Sequence, residues 1–143
     1  MHAGPRGRRS LREDGAQRHR VRADARYGEG YELLSAEPLI DDVPGTLRAW
    51  THGTVIRSWL LDLLVEALKA DPGLAEISDY TTDSGEGRWT VEEAIRHSVP
   101  ANVISAALFA RFASRQESGS PTLKAVSALR QQFGGHSVHA AGS

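Results

Sequence analysis

The chain has 143 residues (15.5 kDa), of which 40% are hydrophobic and 24% charged, which is one ordinary domain long enough to bury a core. It holds no cysteine, so disulfides, thiolate zinc sites and thiol nucleophiles are excluded. The formal net charge of −1 averages two unlike parts: residues 1–26 carry eight arginines against Glu13, Asp14 and Asp24, a net of +5, and residues 27–143 carry nine Lys or Arg against fifteen Asp or Glu, a net of −6.

In residues 1–26 Leu11 and Val21 are the only large aliphatic side chains after Met1. Such a stretch buries too little apolar surface to offset its ordering entropy, which predicts disorder. A basic arm of this kind is also the composition of a phosphate-contacting nucleic-acid tail. The stretch lacks the interleaved aromatics and lysines of such tails, so a nucleic-acid partner is not expected. No signal-peptide core follows Met1, and the longest apolar stretch, Trp59 to Val65, is broken by Asp62 and too short to cross a membrane. A cytoplasmic protein without a membrane partner is the expectation.

From Tyr27 the composition becomes globular. Tyr31, Leu33 and Leu34 read as the end of a helix that closes before Pro38. Asp41 and Asp42 are candidate caps for a helix starting near Pro44, with Leu47 and Trp50 on one face. Val55, Ile56, Trp59, Leu60, Leu63, Leu64 and Leu68 follow helical spacing, which predicts an amphipathic helix stopped by Asp71-Pro72-Gly73. Asp79 to Arg88 reads as a polar loop. Thr90 with Glu93 three residues later has the capping-box pattern, which predicts a short helix from Thr90 that Pro100 ends. A further helix is predicted over residues 101–116, with Val103, Ile104, Ala107, Leu108, Ala110 and Phe112 inward. Pro121 suits the first turn of a last helix, with Gly134-Gly135 as its stop and a frayed tail after His139. No alternating strand pattern appears, so the fold class is all-α, with helices packed on helices.

Three local features invite a chemical reading. In Asp83-Ser84-Gly85-Glu86-Gly87-Arg88-Trp89-Thr90, two glycines and an arginine precede a predicted helix N-terminus, where free N–H groups favour anions. An ordinary interhelical loop with a capping threonine explains the same residues. Arg111 interrupts the apolar run Phe109-Ala110-Arg111-Phe112, and a charge so placed needs a partner, a ligand or a route to the surface. Arg130 precedes the Gly134-Gly135 break, with His136 just after it. The pair suits one ligand, and it also suits a helix C-terminus favoured by the macrodipole. His52, His97 and His139 lack metal-ligand spacing, so no metal is expected, and no Ser–His–Asp arrangement or nucleotide glycine loop is visible.

Taken in order, these pieces resemble a known family. Glu29-Gly30-Tyr31-Glu32-Leu33-Leu34, Trp50 to Trp59, Asp83 to Thr90, Val99-Pro100 with Ala106 to Phe112, and Arg130 to His136 resemble the C-terminal domain of 6-phosphogluconate dehydrogenase (decarboxylating) in its short bacterial form. The resemblance covers about residues 27 to 137. It implies a gluconate-using, pentose phosphate pathway oxidoreductase. In this family NADP, or NAD in some members, takes a hydride from C3 of 6-phosphogluconate. The 3-keto acid then loses CO₂, giving ribulose 5-phosphate, with a lysine as base and a glutamate as acid and no metal. By motif position Arg88 matches the basic residue of the family's G-x-G-[KR]-W-T loop, and Arg111 the arginine of its F-A-R segment; both resemble phosphate ligands. Arg130 and His136 match a pair that the family supplies from the neighbouring subunit of a homodimer.

Two departures stand out. The Rossmann fingerprint G-x-G-x-x-G is missing, so no cofactor is expected to bind this chain alone. The family's catalytic Lys/Glu motif, due just before Tyr27, is also missing, so the chain carries no catalytic residue. A change of reading frame accounts for the second departure. Val-Lys-Met-Val-His-Asn-Gly-Ile-Glu-Tyr-Gly, written in GC-rich codons and read two bases later, gives Glu-Asp-Gly-Ala-Gln-Arg-His-Arg-Val-Arg, which is Glu13 to Arg22. Residues 3–26 thus look like the catalytic segment out of frame. The expected organisation is a disordered, out-of-frame segment over 1–26, the family's helical domain over 27–139 and a frayed tail over 140–143. The expected function is the substrate-binding and dimerisation part of the dehydrogenase, inactive alone. The alternative is a helical dimerisation module, or a decaying gene product, without ligand.

Overall fold

The computed structural model describes residues 15–81, 85–114 and 120–134. Among these the regular structure is six helices: α1 (Gly15–Ala36), α2 (Val43–Trp50), α3 (Trp59–Ala70), α4 (Glu86–Arg96), α5 (Asn102–Ala113) and α6 (Pro121–Gly134). The all-α expectation is met. The expected disorder of residues 1–14 and the fate of Asp83, Ser84, Gly135, His136 and the tail lie outside the described residues.

Residues 15–26, expected to be disordered, form the first half of α1. Composition pointed the wrong way because the helix is held by one face. Asp24, Gly28 and Tyr31 recur at i, i+4 and i+7 and are all buried. That face lies on α6. A Cβ added at Gly28 would sit 2.5 Å from the Thr122 carbonyl oxygen, so only glycine lets the two backbones approach this closely. One turn on, Glu32 accepts from the Thr122 backbone N–H at 3.0 Å and from the Thr122 hydroxyl. It thereby satisfies orphan donors of α6 and complements the positive end of its dipole. The Ser120 hydroxyl accepts from the Leu123 N–H at 3.3 Å, and Asp79 accepts from the Ser120 N–H at 3.1 Å. The first turn of α6 is therefore fixed from three directions.

Asp42 caps α2 as expected, accepting from the Gly45 N–H at 2.7 Å. The helix expected from Val55 begins at Trp59 instead. Ser58 is its cap, accepting from the Leu61 N–H at 3.2 Å. The hydroxyl of Tyr27 donates to the Ile56 carbonyl at 2.7 Å and lies 2.7 Å from the Ser58 hydroxyl. This tertiary hydrogen bond holds the chain before Ser58 in a turn and leaves Val55 exposed. The main core forms where Leu61, Leu64 and Leu68 of α3 meet Leu47, Leu74, Tyr31, Ala125, Ala128 and Leu129.

The capping box at Thr90 and Glu93 does not form. α4 starts four residues earlier, at a left-handed Gly85 (φ +86°) that no side chain caps. Glu93 pairs forward with Arg96 at 2.6 Å and with His97 at 3.5 Å. α5 is shorter than expected, and of its expected inward residues Ala107 and Leu108 are buried while Val103 stays exposed.

The close crossing of α1 and α6 has a test. Gly28→Ala should destabilise the fold by about 1–3 kcal/mol through overpacking. Gly30→Ala, with open space around its new methyl group, should stabilise by about 0.5–1 kcal/mol. Urea unfolding of both variants would check this; equal effects would refute the crossing.

Candidate functional site

The site lies where α1, α5 and α6 converge. Arg111 sits on the inner face of α5 and is 5% exposed, so it does not snorkel to the surface. Its guanidinium lies 3.6 Å from the carboxylate of Asp24 on α1, which is fully buried. Arg130 of α6 is 5% exposed and acts on the same carboxylate. Arg20, one turn before Asp24, completes the group, with its guanidinium 4.0 Å from the ring centre of Phe133. The charges of three guanidinium groups thus act on one carboxylate, and that of Arg111 lies against it. The Asp24 oxygens accept no hydrogen bond from the described residues.

A groove of about 120 Å³ opens beside this cluster. Arg22, Arg26 and Glu29 of α1 line one side, Val103, Ala107 and Ala110 of α5 the other, with Arg111 and Thr122 also at its wall.

Arg88 falls in the first turn of α4, where a cation is opposed by the helix dipole. Its guanidinium lies 4.8 Å from the ring centre of Phe112, the residue after Arg111, and this cation–π contact offsets the unfavourable end. Of the four residues singled out from the sequence, Arg111 and Arg130 share one buried environment. Arg88 is exposed and stacked next to that environment, and His136 is outside the described residues. Arg130 was expected to act across a dimer interface; it is seated here against its own chain.

Asp24 and Arg20 were missed, because the segment that carries them was set aside on composition. The signal was present as spacing: Arg20, Asp24, Gly28 and Tyr31 step along one helical face. No group of three or more potential metal ligands occurs among the described residues. Among them, too, no helix is long and apolar enough to cross a membrane.

Burial pushes the Asp24 carboxyl up to about 6 from 3.8, against the pull of Arg111, Arg20 and Arg130. The folded state therefore binds this proton more tightly than the unfolded chain. Its contribution to stability is complete below the unfolded value and is lost as pH rises through about 6. At neutral pH the buried charge costs about 3 kcal/mol relative to its protonated form. Urea unfolding of wild type and Asp24→Asn at acid and neutral pH would measure this. The variant should gain on wild type by about 2–3 kcal/mol between about pH 4 and about pH 7.5; a constant difference would count against it.

Comparison with known proteins places most of this chain in a family. The model of the 6-phosphogluconate dehydrogenase C-terminal domain matches residues 28–141. The Bacillus subtilis protein named "Putative 6-phosphogluconate dehydrogenase YqeC" is 41% identical over 114 residues, which cover 80% of this chain and 38% of that protein. The NAD(+)-dependent, decarboxylating 6-phosphogluconate dehydrogenase of Haloferax volcanii is 37% identical over 113 residues, 78% of this chain and 38% of that protein. A decarboxylating 6-phosphogluconate dehydrogenase of Bacillus licheniformis is 31% identical over 94 residues, 60% of this chain and 20% of that protein. The matched part thus spans well under half the length of these relatives. The chain belongs to the 6-phosphogluconate dehydrogenase family through its C-terminal domain.

Proposed function

We propose that this helical domain is the substrate-binding and dimerisation part of a decarboxylating, NADP- or NAD-dependent 6-phosphogluconate dehydrogenase. In this reading Arg88, Arg111, Arg130 and His136 hold the phosphate of 6-phosphogluconate. The observation that carries it is the convergence of buried arginines from α5 and α6 beside Asp24 of α1. Two arginines that are each 5% exposed, on different helices, share a single carboxylate. Guanidiniums brought together from different helices suit an anion with several acceptor oxygens. Arg88 beside Phe112 adds a cation whose head remains at the surface, at the rim of the same region.

The described residues hold no strand–turn–helix glycine loop of the kind that seats a dinucleotide pyrophosphate. The proposed part of this chain is therefore binding and orientation of the sugar phosphate. The 143 residues alone give no turnover with NADP or NAD in this reading. Exchange of α6 between two copies would preserve the Gly28–Thr122 crossing and the Glu32 cap in trans, which reconciles a homodimer with Arg130 seated in cis.

Isothermal titration with 6-phosphogluconate tests the site. Arg88→Ala removes an exposed side chain and should leave the fold intact while weakening binding by about tenfold or more. Absence of any binding, by the wild-type chain and by Asp24→Asn alike, would return it to a helical dimerisation module without ligand.

We propose in addition that residues 3–26 are the family's catalytic segment in another reading frame. The family match begins at residue 28, just past the point where the frame would resume. The bases upstream of codon 27 should encode Lys-Met-Val-His-Asn-Gly-Ile-Glu-Tyr in a second frame. A sequenced gene that encodes nothing of the kind there would refute the idea.

A further inference from the structure

We propose that Asp24 is an internal anion that occupies the arginine cage and blocks it against phosphate-like dianions. The inference rests on the reading of Arg111 and Arg130 as phosphate ligands, and it adds a self-inhibitory contact to that reading. Three observations lead to it. Asp24 is fully buried with the Arg111 guanidinium 3.6 Å from its carboxylate, and the charges of Arg20 and Arg130 also act on it, so it sits where a bound anion would be drawn. Its oxygens accept no hydrogen bond from the described residues, so it meets the guanidiniums as a charge and does not orient them through bonds. Arg111 also lines a groove of about 120 Å³, room for a few waters or one tetrahedral anion next to the occupied cage.

A carboxylate that merely positioned Arg111 for a ligand would help binding. One that occupies the cage opposes binding, because an incoming dianion must displace it or lie against a like charge. Arg111 and Arg130 make further contacts of their own, so neutralising Asp24 does not release them. The two roles therefore predict opposite signs for one substitution.

Sulfate is the probe, since it stays a dianion from acid to neutral pH. Titration calorimetry at low ionic strength would compare wild type, Asp24→Asn and Asp24→Asn/Arg111→Ala, with circular dichroism to check folding. Asp24→Asn should bind sulfate at least about tenfold more tightly than wild type, and the double variant should lose that gain. Equal or weaker binding by Asp24→Asn would overturn the proposal.

Should Asp24→Asn fail to fold, the wild-type residue can be neutralised by protonation. The charged groups acting on Asp24 are Arg20 from α1, Arg111 from α5 and Arg130 from α6, and all keep their charge from about pH 5 to about pH 7.5. A His136→Ala background keeps that imidazole out of the comparison. Sulfate should then bind several-fold more tightly at the lower pH, and an unchanged affinity would overturn the proposal. Titration with 6-phosphogluconate separates the two readings. Equal tight binding by wild type and Asp24→Asn sinks the internal anion and keeps the site. A sulfate gain without any 6-phosphogluconate binding sinks the substrate reading and keeps the internal anion.

Discussion

The rest of the structure depends on the contact between Gly28 and Thr122. A missing side chain on α1 lets its backbone reach the first turn of α6, and Glu32 then caps that turn through the Thr122 N–H. The contact sets both spacing and direction. Stepping back from Gly28 to Arg20 on α1 accompanies stepping forward from Thr122 to Phe133 on α6, where the Arg20 guanidinium meets the Phe133 ring. The two helices therefore run antiparallel. At about 1.5 Å per residue, Asp24 lies about one turn back from Gly28 and Arg130 about two turns on from Thr122, which puts both on the same side of the crossing. The charged cluster follows from this register, with Arg111 entering from α5.

Much of this was legible in the sequence where local chemistry decides. Asp42 caps α2 and Pro121 opens α6, because a carboxylate acceptor and a fixed φ act within one turn. Arg111 stood out because an arginine inside Phe109 to Phe112 had to be resolved somehow, and the structure resolves it by burial against Asp24. The failures share one cause, a local rule overridden by a distant partner. Val55 and Ile56 fit a helix by spacing, yet Tyr27 takes the Ile56 carbonyl and holds a turn there. Thr90 and Glu93 fit a capping box, yet a left-handed Gly85 starts α4 sooner and Glu93 turns to Arg96 and His97.

The first half of α1 is the most instructive of these. Average composition measures how much apolar surface a segment can bury. It does not measure whether the segment continues a helix already docked elsewhere. Nucleation is the costly step in helix formation, and each further residue then adds one hydrogen bond. With Gly28, Tyr31 and Glu32 fixed on α6, extension towards Gly15 needs few apolar contacts of its own. Arg20, one of the arginines that argued against a core, serves here through its contact with the Phe133 ring.

The opposed charges of the two parts of the chain thereby become one local problem. A buried pair such as Arg111 and Arg130 needs an anion near it, because excess charge held out of water is costly. The matched family domain begins at residue 28, so the anion seen here comes from the segment before it. Asp24 is that segment's one acid among the described residues, and the helix carries it to within 3.6 Å of the Arg111 guanidinium. Burial nevertheless raises its proton affinity instead of lowering it, against three guanidiniums. Desolvation therefore outweighs the pairing. A carboxylate held on such terms fills the cage without fitting it closely, which is the condition under which an external dianion with more acceptor oxygens can compete for the same arginines.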